Sequence, residues 1–184
     1  MRSDAAESEH PVRHVTLNSM IVLEPITDAN VAAFKAVRLR ALQDTPLAFG
    51  STWARESAFT DEEWLQRAAG WNGARGIGYL AIDAGALCGI AGSFLDPEDP
   101  TRAQLVSMWT APECRRSGVG RMLVEAIAGW ARGRGARTLL LMVVSNNQSA
   151  FLFYERLGFA RTGRTGPYPN DPALLEWEML RQLS

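Results

Sequence analysis

The strongest constraint on this chain is an apolar segment that runs into a short turn rich in arginine and glycine, followed by a long amphipathic run. The segment covers residues 103–110, and the turn reads Arg115-Arg116-Ser117-Gly118-Val119-Gly120. This order predicts a strand, a tight turn and a helix N-terminus whose first N–H groups lack helical partners. Together with the helix dipole and the two arginines, such a terminus suits an anion such as a phosphate. A glycine-rich turn with surface arginines is the alternative interpretation.

The run after the turn has apolar residues at helical spacing, which predicts a helix docked on a core by one face. The predicted buried residues are Val119, Met122, Leu123, Ala126, Ile127, Trp130 and Ala131. Two other phosphate-binding loops are excluded. A dinucleotide fingerprint would need a glycine at Leu123 and an acid near Leu140, and no G-x-x-x-x-G-K-[ST] motif occurs in the chain.

Composition indicates one soluble globular domain, with 47% hydrophobic and 21% charged residues among 184. A net charge of −1 argues against a nucleic-acid partner. The first 20 residues lack the apolar core of a signal peptide, and the longest apolar run, 139–144, is too short to span a bilayer. We therefore expect a cytoplasmic protein with no membrane association.

Cysteine and histidine usage gives no metal motif. Cys88 and Cys114 form no C-x-x-C pair, and the only histidines, His10 and His14, lie near the N-terminus. A zinc site or a Cys–His nucleophile is therefore not expected. Two free thiols in a reducing compartment are the simpler interpretation.

The first half of the chain predicts a disordered tail over 1–17 and then a single domain over 18–184. A strand is expected near 20–24, and Thr27 or Asp28 can cap a helix that buries Val31, Phe34, Val37 and Ala41. Residues 46–52 form an apolar loop. A capping box over 60–63 opens a second helix that buries Trp64, Leu65 and Ala68. Strands 78–82 and 87–95 flank the hairpin turn Asp83-Ala84-Gly85.

The second half predicts a crossover unit. Strands 103–110 and 138–144 are nearly all apolar, so both of their faces should be covered, and the helix between them makes them parallel neighbours or nearly so. A short helix over 147–157 is followed by Gly158 as a left-handed cap and by a strand from Phe159. Residues 163–172 are expected to form a turn-rich loop, and 174–183 a final strand. The result is a mixed α/β sheet with helices on both faces.

Two motifs in this order carry a resemblance to a known family. The R-x-x-G-x-G turn over 115–120 precedes a second motif made of Asn147, Ala150, Tyr154, Gly158 and Phe159. This arrangement resembles the GCN5-related N-acetyltransferase (GNAT) family, over roughly residues 100–163. The resemblance implies the acyl-CoA N-acyltransferase fold: a mixed, mostly antiparallel central sheet, helices on both faces, and two central parallel strands splayed apart.

The resemblance also implies acetyl-CoA as the co-substrate, with no metal. The backbone of Met108, Trp109 and Thr110 would pair with the pantetheine arm. The pyrophosphate would lie on the N–H groups of Arg116, Gly118, Val119, Gly120 and Arg121, and Arg115 and Ser117 of the same turn would also belong to the cofactor site. Asn147 would contact the pantetheine beside the small Ala150, and Tyr154 would be the general acid that protonates the CoA thiolate. The alternatives are a helix cap for Asn147 and a core aromatic for Tyr154.

The general base and the acceptor site are less defined by the sequence. Similar proteins often carry a glutamate on the central strand, where this chain has Gln104 and Ser107. Glu56 is a candidate base, with a solvated surface charge as its alternative, and Ser107 could instead help to hold a water relay. The acceptor walls are predicted from loop 46–52, Trp53, Trp71 and loop 163–170. The acids Glu56, Asp61, Glu62 and Glu63 would suit a cationic amine.

These observations predict an N-acetyltransferase acting on a primary amine of a small molecule or a peptide. A non-catalytic acyl-CoA-binding module is the main alternative, because the central strand lacks its acid. A nucleotide-binding domain unrelated to CoA is a third. The apolar C-terminal strand could supply a homodimer interface.

Overall fold

The structure, a computed structural model, describes residues 20–71 and 74–184. The predicted tail over 1–17, with His10 and His14, lies outside the described residues. Within these residues, seven strands form one sheet in the order β1-β2-β3-β4-β5-β7-β6, and only β4 and β5 run parallel. The strands are β1 (Val22–Pro25), β2 (Gly76–Asp83), β3 (Ala86–Leu95), β4 (Arg102–Thr110), β5 (Thr138–Val144), β6 (Ala160–Tyr168) and β7 (Asp171–Gln182). The predicted mixed, mostly antiparallel sheet is confirmed.

Helices cover both faces of this sheet, as predicted, and each face has its own core. They are α1 (Val31–Asp44), α2 (Trp53–Ser57), α3 (Asp61–Trp71), α4 (Val119–Gly133) and α5 (Gln148–Arg156). On one face, α4 and α5 pack on the sheet through residues such as Leu123, Ile127 and Phe151. On the other face, α1 and α3 pack through Phe34 and Trp64. The two faces therefore present different helices to any ligand that enters between the strands.

Two residues predicted to be buried are exposed, because each helix is rotated slightly from the predicted orientation. Met122 on α4 is 37% exposed, whereas Val124 and Ala128 are fully buried. Leu65 on α3 is 42% exposed, since the inward face of that helix runs through Trp64 and Ala68. An apolar residue at the margin of a helical stripe can face either way, and packing decides which.

The C-terminal hairpin differs from the prediction, which placed a loop over 163–172. β6 continues through Gly163 to Tyr168 and pairs with β7, and only a tight turn separates the two strands. Gly163 has a φ of 85° where the register shifts between Arg161 and Thr165, so the glycine marks an irregularity inside the strand rather than its end. Pro167 is tolerated because β6 is the last strand of the sheet.

Candidate active site

The parallel strands β4 and β5 are paired only at their beginnings. Arg102–Gln104 lies beside Thr138–Leu140, and no pairing between the two strands continues beyond that point. A cleft of about 930 Å³ opens where they diverge, lined by residues of both strands and of helices from both faces. The predicted splay is therefore present, and it leaves the outer half of β4 with a free edge toward the cleft.

A bulge lies on β4 at the mouth of the splay. The pairs Gly92–Val106 and Ile90–Trp109 leave two residues on β4 opposite one on β3, and Ser107 has a φ of 56°. Because the extra residue reverses the alternation of side chains, Trp109 joins the core on the α1 side while Met108 contacts the core on the α4 side. No sequence pattern indicates this bulge, since serine is not a residue that favours positive φ.

The N-terminus of α4 has the unpartnered N–H groups that the turn motif predicts. Gly118 is the N-cap with a φ of 94°. The first backbone amide of α4 that donates a hydrogen bond is that of Met122, which donates to Gly118 O at 3.0 Å. Within the described part of the chain, no amide between Arg116 and Arg121 donates a hydrogen bond to another protein atom. Gly118, Gly120, Arg116 and Arg121 all line the cleft. This end of the cleft therefore suits an anion.

The two glycines of this turn have different roles. Gly118 supplies a left-handed conformation that few side chains adopt, and a Cβ there would meet open space. A Cβ on Gly120 would come within 3.0 Å of Phe153 and 3.3 Å of Met108. Gly120 therefore lies where α4, α5 and β4 pack closely, and a larger residue there would press on both side chains.

Arg115 is held by the protein itself. Its guanidinium donates to the carbonyl of Thr110 at 3.2 Å and is paired with Asp44, which also accepts a 2.9 Å bond from the indole of Trp109. Burial alone would raise the pKa of Asp44, but the hydrogen bonds from Trp109, Thr45 and Arg115 lower it overall. Arg115 thus fixes the turn against α1, which leaves Arg116 and Arg121 as the freer cations at this end.

The predicted second motif lies on and just before α5, on the opposite wall. Asn147 is the N-cap of this helix, and its side-chain oxygen accepts from the amide of Ala150 at 3.1 Å. Its alternative role as a cap is therefore observed, although the residue also lines the cleft. Ala150 and Tyr154 share one face toward the cleft, as their spacing predicts, and Phe153 lies there as well.

Tyr154 is a buried residue at the edge of this cleft. Its ring packs edge-to-face on Phe153, with centroids 5.1 Å apart, and on Phe159 at 5.5 Å. Burial raises the pKa of the Tyr154 phenol well above its usual range. The hydroxyl therefore keeps its proton at neutral pH and can act as a proton donor.

Glu56 is neither a solvated surface charge nor a free base. Its carboxylate is fully buried and receives two hydrogen bonds from Arg38, at 2.8 and 3.0 Å, and Arg67 lies 3.5 Å away. Burial acts to raise the pKa of Glu56, but the hydrogen bonds and charge of Arg38 and the charge of Arg67 lower it overall. A carboxylate held by two guanidinium groups is a weak proton acceptor, so this geometry does not favour Glu56 as the base.

Ser107 lies close to this buried pair. Its hydroxyl accepts a long hydrogen bond of 3.4 Å from Arg38, and the residue lines the cleft. The buried Arg38 could have been anticipated from its spacing, because Phe34, Arg38 and Leu42 follow one another at intervals of four residues along α1.

Glu176 on β7 is the carboxylate that the sequence did not reveal as a site residue. It pairs with Val144 at the end of β5 and lines the cleft. Trp177 and Met179 contact the core beneath α4, so Glu176 points to the other face of the sheet. Burial raises the pKa of its carboxyl group. Only the position of β7 beside β5 brings Glu176 to the site, and the sequence does not specify that neighbour.

One wall of the cleft comes from loop 46–52, which the C-terminal hairpin holds in place. The Tyr168 hydroxyl donates to the carbonyl of Phe49 at 2.8 Å and lies 3.1 Å from that of Pro46, and the Asn170 side-chain amide donates to Phe49 O at 2.9 Å. Phe49 and Pro169 line the cleft, as predicted for these loops.

Several predicted parts of the acceptor site lie elsewhere. Trp53 is 44% exposed outside the cleft lining, and Trp71 packs on Phe34 in the core. Asp61 pairs with Lys35. Glu63 completes the predicted capping box with the amide of Thr60, and Glu62 does not line the cleft.

Two further findings concern the described residues as a whole. No helix within 20–71 or 74–184 is long and apolar enough to cross a bilayer. The same residues contain no group of three or more His, Cys, Asp or Glu side chains arranged to hold a metal ion.

Cys88 and Cys114 are free thiols. Burial and the neighbouring Cys88 raise the pKa of Cys114 to about 12.

Comparison with known proteins matches this architecture to one family. The profile of the "Acetyltransferase (GNAT) family" matches residues 38–159. Mycothiol acetyltransferase from Salinispora arenicola is 33% identical over 133 residues, which cover 70% of this chain and 41% of that protein. The corresponding protein of Rhodococcus jostii is 30% identical over 58% of this chain and 37% of its own length. The chain thus spans about two fifths of the length of these two relatives.

Solved structures show the same fold at low identity. A GNAT acetyltransferase from Streptococcus pneumoniae superimposes with a TM-score of 0.74 at 21% identity, covering 90% of this chain and all of the other. An N-acetyltransferase from Thermoplasma acidophilum, solved in complex with coenzyme A, gives a TM-score of 0.70 at 15% identity, covering 89% and 99%. These comparisons confirm the resemblance drawn from the two motifs.

Proposed function

The chain belongs to the GNAT family of acetyltransferases, and from that membership we propose that it transfers an acetyl group from acetyl-CoA to a primary amine. The single observation that carries the proposal is the cleft itself, where unpartnered amides at the start of α4 face the splay between β4 and β5. A diphosphate bound by these amides would direct the pantetheine arm along the free edge of β4, past Met108, Trp109 and Thr110. Relatives named mycothiol acetyltransferases support a small-molecule acceptor.

The chemistry requires positioning and two proton transfers. The neutral amine attacks the thioester carbonyl carbon, a C–N bond forms, and the C–S bond breaks as the electron pair leaves with sulfur. Tyr154 donates its proton to the departing thiolate and regains one from solvent. Its raised pKa keeps the donor protonated at neutral pH. A backbone N–H on the free edge of β4 would stabilise the carbonyl oxygen as it gains negative charge.

Glu176 is our proposed general base, in place of Glu56. It lines the cleft from the face opposite α4 and α5, which is the side left for the acceptor when the cofactor lies against those helices. Burial raises the pKa of Glu176, which makes it a better proton acceptor than an ordinary carboxylate. It would take the ammonium proton directly or through one water, with Ser107 as a further ligand for such a water.

Replacing Glu176 with Gln should lower kcat/KM about 100-fold, because the amide cannot accept the proton. In the wild type, activity should fall with decreasing pH as Glu176 becomes protonated, at a pH above the usual carboxyl value, and this acidic limb should be absent in E176Q. Glu178→Gln is a matched control, since Glu178 lies two residues along β7, near Arg102 and outside the cleft lining. Both variants are measured as pH profiles of CoA release. An equal loss of kcat/KM in E176Q and in Glu178→Gln would refute the role of Glu176.

The proposed function is tested by CoA release from acetyl-CoA across a panel of amines that includes amino acids, polyamines, aminoglycosides and peptide N-termini. We expect turnover with at least one class. The alternative, a non-catalytic acyl-CoA-binding module, is favoured by the absence of an acid on β4, where Gln104 and Ser107 stand. That alternative predicts acetyl-CoA binding, measured by calorimetry, with no CoA release from any amine.

A further inference from the structure

A cluster of arginines on α1, α2 and α3 lies at the end of the cleft away from α4. Arg38, Arg55 and Arg67 all line this region, together with one buried carboxylate, Glu56. Arg38 donates two hydrogen bonds to the carboxylate of Glu56, and the guanidinium of Arg67 lies 3.5 Å from it. These arginines carry three positive charges against the one negative charge of Glu56, and adding Glu176 to the count still leaves an excess of one positive charge.

The excess charge is accessible from the cleft. Arg38 is buried, but the side chain of Arg67 is 33% exposed and Arg55 is exposed. Arg55 forms no ion pair with any residue that the structure describes. Its amide is bonded to Thr52 Oγ1 at 3.2 Å, which anchors the first turn of α2. Two guanidinium groups therefore remain with unused donors at this end of the cleft.

These guanidinium groups also repel one another. Burial lowers the pKa of Arg67, the charge of Glu56 opposes this effect, and the charges of Arg38 and Arg55 lower the pKa further. Arg67 is held in place by stacking on Phe59 and Trp64, with distances of 5.3 and 5.5 Å to the ring centroids. An anion placed between Arg55 and Arg67 would relieve this repulsion.

Acetyl-CoA does not account for the cluster. The amides that suit its diphosphate open α4, with Arg116 and Arg121 beside them. Arg38 and Arg67 belong to α1 and α3, which pack on the opposite face of the sheet. The second anion at this end would therefore come from the other substrate.

Resting on the proposed function, we infer that the acceptor is an amine that also carries a carboxylate, and that Arg55 and Arg67 bind this carboxylate. An α-amino acid is the simplest member of the class. Its carboxylate would lie at the arginines while its amine points toward the thioester and Glu176. The acids that the sequence suggested for a cationic amine do not form this site, because they are paired or lie outside the cleft.

The test compares common α-amino acids with their carboxamides, which keep the amine and lose the negative charge. For an accepted amino acid we expect kcat/KM at least ~10-fold above that of its carboxamide, the size of one charge-assisted hydrogen bond. Arg55→Gln should bring the two values together by raising KM for the amino acid, and Arg55→Lys should keep most of the difference. Equal or better turnover of the carboxamide, or an equal loss with both substrates in R55Q, would overturn the inference.

Calorimetry separates this inference from the proposed function. The protein saturated with CoA is titrated with an amino acid and with its carboxamide, and we expect binding of the amino acid to be ~10-fold tighter and to weaken in R55Q. If no amine of the panel is acetylated, the proposed function fails, while tighter binding of the amino acid would still support the carboxylate site. If the carboxamide or a polyamine binds more tightly, the inference fails whether or not acetyl transfer is observed.

Discussion

Replacing Tyr154 with Phe is expected to lower kcat by a factor of about 10² to 10⁴, the range attributed to a positioned general acid. The phenylalanine ring would keep the edge-to-face packing on Phe153 and Phe159, so that only the proton donor is lost. Binding of acetyl-CoA should therefore change little. The measurement is kcat by CoA release, together with the Kd for acetyl-CoA by calorimetry.

The pH dependence of Tyr154 gives a second check on the same role. A general acid works in its protonated form, and burial raises the pKa of this phenol. The alkaline loss of activity should consequently lie above pH ~10, where an ordinary tyrosine ionises. Tyr79→Phe is the matched control, because Tyr79 lies on β2 outside the cleft lining. A Y154F enzyme that keeps more than about a tenth of wild-type kcat would contradict the assignment.

Replacing Glu56 with Ala is expected to lower the free energy of unfolding by about 3–5 kcal/mol. The substitution leaves Arg38, which is 4% exposed, without its carboxylate partner in the interior. Asp61→Ala is the matched control, because it removes an ion pair with Lys35 in which the Asp61 side chain is 93% exposed. Such a surface pair is worth at most about 1 kcal/mol. Urea unfolding of the two variants gives the comparison.

The same pair predicts how stability depends on pH. The pKa of Glu56 is lower in the folded state than its ordinary value of 4.5. Its contribution is therefore fully present above that value and is lost as pH falls toward the folded-state pKa. The wild type should lose stability steeply in this acidic range, and E56A should lose less. If E56A lowers the free energy of unfolding at neutral pH by no more than D61A does, the pair does not stabilise the fold.

The sequence was informative where a local pattern determined the structure. The turn at Gly118, the apolar stripe of α4 and the spacing of Ala150 and Tyr154 each depend on neighbours a few residues apart. The parallel pairing of β4 and β5 also followed from local order, since a helix connects two apolar strands. These elements form the half of the cleft that we propose for the cofactor.

The half that we propose for the acceptor depends on contacts between distant parts of the chain, which local patterns do not encode. Glu176 reaches the cleft because β7 lies beside β5, and Glu56 is buried because Arg38 and Arg67 converge on it. The bulge at Ser107 likewise results from the register between β3 and β4. Four acids close together in the sequence suggested a site for a cationic amine, whereas in the folded protein Glu56 is paired with Arg38 and Asp61 with Lys35.

A crystal structure of the protein with CoA tests the central claim most directly. We expect diphosphate oxygens about 3 Å from the amide nitrogens between Gly118 and Arg121, with the thiol in the gap between β4 and β5 near the Tyr154 hydroxyl. CoA bound outside this gap, or those amides bonded to the protein's own side chains in the complex, would contradict it.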